Sequence, residues 1–160
     1  SPTGHFHIKK KIKEHNALLG GEMSGHIFLN DTWYGFDDGL YSAIRLLDIL
    51  NRQNMDLDKM AAKLPKSFAT EELNIDVKEE EKFMIIEKFI KEQSLSKIFN
   101  TLDGLRLSFN NGWALLRASN TTPKLVLRFE ANSQNQLEII QKDFLGELKK
   151  IIPSLNINLK

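Results

Sequence analysis

The 160-residue chain has no cysteine, which excludes a disulfide framework, a thiolate nucleophile and a Cys-ligated zinc. It has no excess of either charge: 22 Lys+Arg stand against 21 Asp+Glu, for a formal net charge of +1. A general nucleic-acid or acidic-membrane binder is therefore not expected, and an anionic partner has to be held by a local site. No apolar run approaches the ~18 residues that span a bilayer, and the opening Ser1-Pro2-Thr3-Gly4-His5 carries no basic-then-apolar leader pattern. Cytoplasm is the default expectation. Ser1 rather than Met opens the chain, so a processed product or a piece of a longer protein is expected.

What is present suffices for one ordinary domain, or a small domain plus part of another. Lys9 to Glu14 reads as a short solvated helix ending near Asn16. Ala17 to Leu29 reads as strand, loop, strand, because Gly20, Gly21 and Gly25 each cost about 1 kcal/mol in a helix. Asp37-Asp38-Gly39 precedes Leu40, Ala43, Ile44, Leu46, Leu47 and Leu50, an apolar face at helical spacing with acidic residues in the first turn. Asn51 to Pro65 is polar, with a short amphipathic turn at Leu57, Met60, Ala61 and Leu64, and marks a boundary between residues 1–64 and 65–160.

Beyond it the pattern is β-α-β-β-β-β-α. Strands are expected over Glu71 to Val77, Lys97 to Thr101, Leu105 to Phe109, Trp113 to Arg117 and Lys124 to Glu130. Helices are expected over Lys78 to Gln93, with Phe83, Ile86, Phe89 and Ile90 on one face, and over Ser133 to Ile152. Asp103-Gly104 and Asn110-Asn111-Gly112 are hairpin-type turns, giving an antiparallel meander with helices on one sheet face. The fold class is α+β: a truncated α/β segment followed by an α+β domain.

Three constellations carry chemistry. In Gly20-Gly21-Glu22-Met23-Ser24-Gly25-His26, an extended backbone places Glu22, Ser24 and His26 on one side. Carboxylate, hydroxyl and imidazole in one row suit the vicinal hydroxyls of a sugar, and glycine lets backbone approach a ligand. A strand edge with polar residues facing water is the alternative. In Arg117-Ala118-Ser119-Asn120-Thr121-Thr122-Pro123, a guanidinium, hydroxyls and backbone N–H groups form a cradle for a phosphate dianion, or else a polar hairpin loop. The histidines are the third. A zinc site using three of them finds no His-x-x-x-His spacing and no nearby carboxylate pairing, so a single general acid or base is the better use of His5 or His26. Trp33, Tyr34 and Phe36 either stack on a sugar or belong to the core.

Together these stretches resemble the α-D-phosphohexomutases, in particular the bacterial phosphomannomutase/phosphoglucomutase branch. Thr3 to Lys11 is similar to the Thr-Gly-His-x-x-Ile-Lys-Lys-Lys stretch of that branch. Gly21 to His26 matches its sugar-binding loop Gly-Glu-Met-Ser-Gly-His, Phe36 to Gly39 its Phe-Asp-Asp-Gly continuation, and Arg117 to Pro123 its phosphate-binding loop. Phosphoglucosamine mutases, the alternative within the family, usually carry Gln where Met23 stands, so Met23 and Ser119-Asn120 favour mannose and glucose phosphates.

The resemblance implies a four-domain isomerase that interconverts hexose 1-phosphate and 6-phosphate through a bisphosphate intermediate, with hexose 1,6-bisphosphate as activator and Mg2+ as cofactor. Glu22, Ser24 and His26 would bind the sugar, and Arg117, Ser119, Asn120, Thr121 and Thr122 the phosphate. His5 and His26 would assist proton transfer or position the substrate. The family's phosphoserine loop and Asp-Gly-Asp-Gly-Asp-Arg magnesium loop are not found here, so no ligand for that metal is expected in this chain. The resemblance covers the later part of the family's third domain (1–64) and its complete TATA-binding-protein-like fourth domain (65–160). The implied partners are mannose or glucose phosphates and the missing N-terminal domains. The chain alone is expected to be inactive, and a non-catalytic phosphosugar-binding module is the competing reading.

Overall fold

The computed structural model describes residues 1–96 and 98–157. The chain forms two compact units, Ser1–Pro65 and Lys66–Lys160, each considered by itself.

The first unit opens with α1 (His5–His15), which ends where Asn16 turns left-handed at φ 48°. A two-stranded antiparallel hairpin follows, β1 (Leu19–Gly21) and β2 (Ile27–Leu29), pairing Leu19 with Leu29 and Gly21 with Ile27. The segment between the strands is a turn and not extended chain: Gly25 N–H donates to Glu22 O and Glu22 N–H to His26 O, both at 3.0 Å. The expected alternation of Glu22, Ser24 and His26 on one side therefore does not apply. The turn needs Gly25, whose φ of +88° is a region that a Cβ disfavours.

Next come α2 (Gly39–Arg52) and α3 (Leu57–Ala61). The two aspartates lie before α2, not in its first turn. Asp38 is its N-cap, its carboxylate accepting from Tyr41 N–H at 2.9 Å. No residue of α2 is buried, and Leu40, Ile44 and Leu47 lie open on it. The buried hydrophobics of this unit are Ile12 and Phe28. Trp33 stacks on Tyr41 at 4.3 Å and Tyr34 is exposed, so this aromatic group is not core.

The second unit is an antiparallel sheet covered by two helices. Its elements are β3 (Phe68–Ala69), β4 (Leu73–Asp76), α4 (Lys82–Glu92), β5 (Phe99–Asn100), β6 (Leu105–Phe109), β7 (Gly112–Ala118), β8 (Lys124–Ala131) and α5 (Gln134–Ile151). The sheet order is β3-β8-β7-β6-β5, with β4 also pairing with β8. The meander expected over the first three strands is β5-β6-β7, and β8 continues it beyond β7; Lys97 of the expected first strand lies outside the described residues.

Side chains alternate along β7: Ala114, Leu116 and Ala118 are buried while Arg117 is not. The core joins Leu105, Leu107, Leu116, Leu127 and Phe129 of the sheet to Phe89 of α4 and Phe144 and Leu148 of α5. Phe144 meets Phe89 and Phe129 edge-on at 5.0 and 5.4 Å. Ser133 caps α5 by accepting from Gln136 N–H at 3.3 Å. Helix α4 begins at Lys82 and not at Lys78; Ile86 and Phe89 of the expected face are buried and Ile90 packs against the core, but Lys82 and Ile85 complete that face and Phe83 is exposed. The covering helices make this unit α+β, as the pattern of elements indicates.

Candidate functional site

In the first unit, the start of α1, the hairpin turn and the approach to α2 converge. Gly4 stands before α1 at φ +120°, a conformation suited to glycine, and its N–H donates to Glu22 Oε1 at 2.7 Å. This carboxylate sits at the positive end of α1, where the helix dipole favours it. Glu22 thus ties the turn to the start of the helix.

His5, the first residue of α1, meets His26 with ring centroids 4.6 Å apart and rests edge-on against the buried Phe28 at 5.3 Å. Asp37 lies between the two imidazoles. Its Oδ2 is 2.8 Å from His26 Nδ1 and 3.6 Å from His5 Nε2, and its Oδ1 accepts from Ile27 N–H at 3.2 Å. An ionised carboxylate only accepts, so His26 Nδ1 carries the proton toward it, which leaves Nε2 as the proton-accepting nitrogen of a neutral ring. The hydrogen bond from His26 outweighs the opposing effect of burial and, with Ile27 N–H assisting, holds the Asp37 carboxyl below the usual aspartate range.

The sequence motif Phe36-Asp37-Asp38-Gly39 thus divides its labour: Asp37 orients an imidazole, whereas Asp38 caps a helix and accepts from Trp33 Nε1 at 3.0 Å. Residue types and spacing alone do not single out Asp37 for chemistry, although its place beside Asp38 is visible. Met23 and Ser24 lie exposed at the tip of the turn. Besides these, Arg45 clamps Asp31 at 2.8 Å and Thr32 Oγ1 at 2.6 Å, fixing the loop before α2 onto that helix.

In the second unit, residues 119–123 connect β7 to β8. Ser119 Oγ accepts from Thr122 Oγ1 at 2.8 Å and Thr122 N–H at 3.2 Å, and more weakly from Thr121 N–H at 3.4 Å. Several donors of the loop therefore converge on one oxygen, the arrangement a phosphate oxygen also needs. Asn120, Thr121 and Thr122 are exposed, and Arg117 is half-buried at the end of β7 with Nη2 3.8 Å from Glu72 Oε2.

Behind this loop stands a residue that its sequence does not single out. Lys82 is only 3% exposed, donates to Ser119 O at 2.8 Å and pairs with Glu79 Oε1 at 2.5 Å. The signal is a lysine spaced four and seven residues before Ile86 and Phe89, which puts it on their buried face.

Residues 1–68 match the family model described as phosphoglucomutase/phosphomannomutase, alpha/beta/alpha domain III, and residues 72–147 match its C-terminal domain. The chain belongs to the phosphoglucomutase/phosphomannomutase family. It is 48% identical over 156 residues to a phosphomannomutase/phosphoglucomutase of Pseudomonas putida, covering 97% of this chain and 34% of that protein. A phosphoglucomutase of Neisseria gonorrhoeae is 46% identical over 89% of this chain and 31% of its own length. A crystal structure of a family member from Burkholderia thailandensis superposes with a TM-score of 0.87 at 43% identity, covering 98% of this chain and 33% of that one. The chain thus spans about a third of the length of the curated relatives it matches. Among the described residues, no helix is long and apolar enough to cross a membrane.

Proposed function

We propose that this chain supplies sugar and phosphate recognition, together with a proton-transfer group, to a phosphohexomutase that interconverts hexose 1-phosphate and 6-phosphate through a bisphosphate intermediate. In this reading residues 1–64 are the later part of the family's third domain with a linker, and residues 65–160 its fourth. The observation that carries it is the His26–Asp37 pair, which presents His26 Nε2 as a base beside the Glu22 and Ser24 turn.

The hexose hydroxyls meet Glu22 and Ser24, the carboxylate accepting and the hydroxyl exchanging donor and acceptor roles. His26 Nε2 takes the proton from the hydroxyl that attacks phosphorus, Asp37 stabilises the imidazolium that forms, and His5 packs against that ring to hold it. In the second unit, considered by itself, a phosphate group takes over the loop donors gathered at Ser119 and meets Arg117 by a charge-assisted contact. Lys82 holds the backbone of Ser119 in place from behind.

The phosphoryl donor is not supplied by these residues, and magnesium does not fit them. Among the described residues, the cluster able to hold a metal contributes two imidazoles and one carboxylate, whereas magnesium prefers oxygen ligands in an octahedral shell. Turnover accordingly requires the upstream part of a longer family chain, which in this reading also covers the open apolar face of α2.

The test is a fusion of the chain to the upstream two-thirds of the Pseudomonas putida relative, assayed for conversion of glucose or mannose 1-phosphate to the 6-phosphate with a bisphosphate activator. Conversion by the fusion, none by the chain alone, and loss in His26→Ala support the reading. A folded fusion that converts no hexose phosphate refutes it.

A further inference from the structure

His5, His26 and Asp37 bring together three donor atoms that lie within 4.8 Å of one another, His5 Nε2, His26 Nδ1 and an Asp37 carboxylate oxygen. Both imidazole nitrogens address the same Asp37 Oδ2, at 3.6 and 2.8 Å. A tetrahedral zinc ion with bonds of about 2.0–2.1 Å sets its donors about 3.3 Å apart, between those two separations. Bringing both of these separations, and that of the two imidazole nitrogens, which lie within 4.8 Å of each other, to this spacing takes ring shifts of up to about 1 Å. Both rings are accessible, at 45% and 44% side-chain exposure, and so can make them. The carboxylate pairing that the histidine spacing lacked is thus supplied by a residue eleven positions beyond His26.

We propose that His5, His26 and Asp37 bind zinc or another late first-row divalent cation, with the fourth position open to water or to a phosphate oxygen. Two imidazoles with one carboxylate form a borderline donor set, which selects such ions and not magnesium or calcium. Phe28, fully buried behind His5, backs the site with apolar surface and limits the positions that His5 can take.

The consequence for catalysis rests on the base role assigned to His26. A metal on Nδ1 fixes the remaining ring proton on Nε2, which removes the proton-accepting nitrogen. Bound zinc is therefore an inhibitor whose target is the imidazole pair, acting apart from any magnesium held elsewhere in a longer chain.

Zinc binding to the chain is measured by calorimetry, with cobalt(II) absorption reporting a tetrahedral site. One ion per chain is expected, with affinity falling at least about tenfold in His5→Ala and in Asp37→Asn and unchanged in a His7→Ala/His15→Ala double variant. Circular dichroism of each variant separates lost ligands from lost fold. Because His5 is largely exposed, its variant keeps the test sharp should Asp37→Asn perturb the turn. Absence of binding to the wild-type chain overturns the site, as does binding that survives both single substitutions or depends on His7 and His15. Inhibition is read separately in the active fusion: zinc that binds the three residues without slowing turnover leaves the site standing and refutes the base role of His26. No binding at all removes the site and leaves that role untouched.

Discussion

Replacing Lys82 by Met tests whether a buried ammonium holds the phosphate loop. The Lys82 side chain is 3% exposed and has two partners of different kinds. Glu79 is 63% exposed, so its carboxylate returns to water when the lysine is lost and its pairing contributes little. The carbonyl of Ser119 is the partner that matters, because a hydrogen bond from a charged donor contributes about 1.5–3 kcal/mol. Methionine fills much the same volume, which keeps a cavity out of the comparison. Removing an ammonium also ends its desolvation cost, which offsets part of the loss. The net destabilisation is about 1–2 kcal/mol, or roughly 4–16 °C in Tm for a unit of this size. Thermal unfolding by circular dichroism measures this. Amide shifts on adding inorganic phosphate measure the second effect, a weaker response at residues 119–122. Unchanged Tm together with an unchanged phosphate response would refute the buttressing role of Lys82.

In the active fusion, His26→Ala should lower kcat by about 10²–10⁴-fold with little change in KM, and Asp37→Asn should lower it less; equal KM and kcat effects would point to substrate binding instead. Arg117→Ala should weaken binding of any phosphate ligand by about 1–3 kcal/mol. Glu22→Ala should weaken glucose 1-phosphate binding and spare inorganic phosphate, so equal losses for both ligands in both variants would contradict this division. Because the folded-state pKa of Asp37 is depressed, its contribution to stability is complete above the ordinary aspartate value and is lost as pH falls through the lowered one. Asp37→Asn should accordingly flatten the acid limb of stability in unfolding titrations below about pH 4.

The sheet of the second unit is legible in the sequence because its main strands are short apolar-rich runs, alternating in β7 and continuous over residues 125–127 in β8, and its turns carry Asp103-Gly104 and Asn111-Gly112. Helix starts are less so. The acidic run Glu79-Glu80-Glu81 looks as helical as the residues after it, yet α4 begins at Lys82, and Lys82 and Ile85 lie inward where Phe83 does not. The turn 22–26 reads as extended because glycine and serine suit both conformations, and only the hydrogen bonds of Glu22 with Gly25 and His26 decide between them. The candidate residues of the two loops are visible as residue types in a row. Asp37 and Lys82 are not, because each acts across a fold contact: one reaches eleven residues back to His26, the other 37 residues forward to Ser119.

The most direct test of sugar-phosphate recognition is an amide NMR titration of this chain with glucose 1-phosphate, with inorganic phosphate as the control. Shifts at residues 117–122 with both ligands, and at Glu22 to His26 with the sugar phosphate only, are the expected result. Saturating ligand that moves neither loop in a folded chain would contradict the assignment of recognition to these residues.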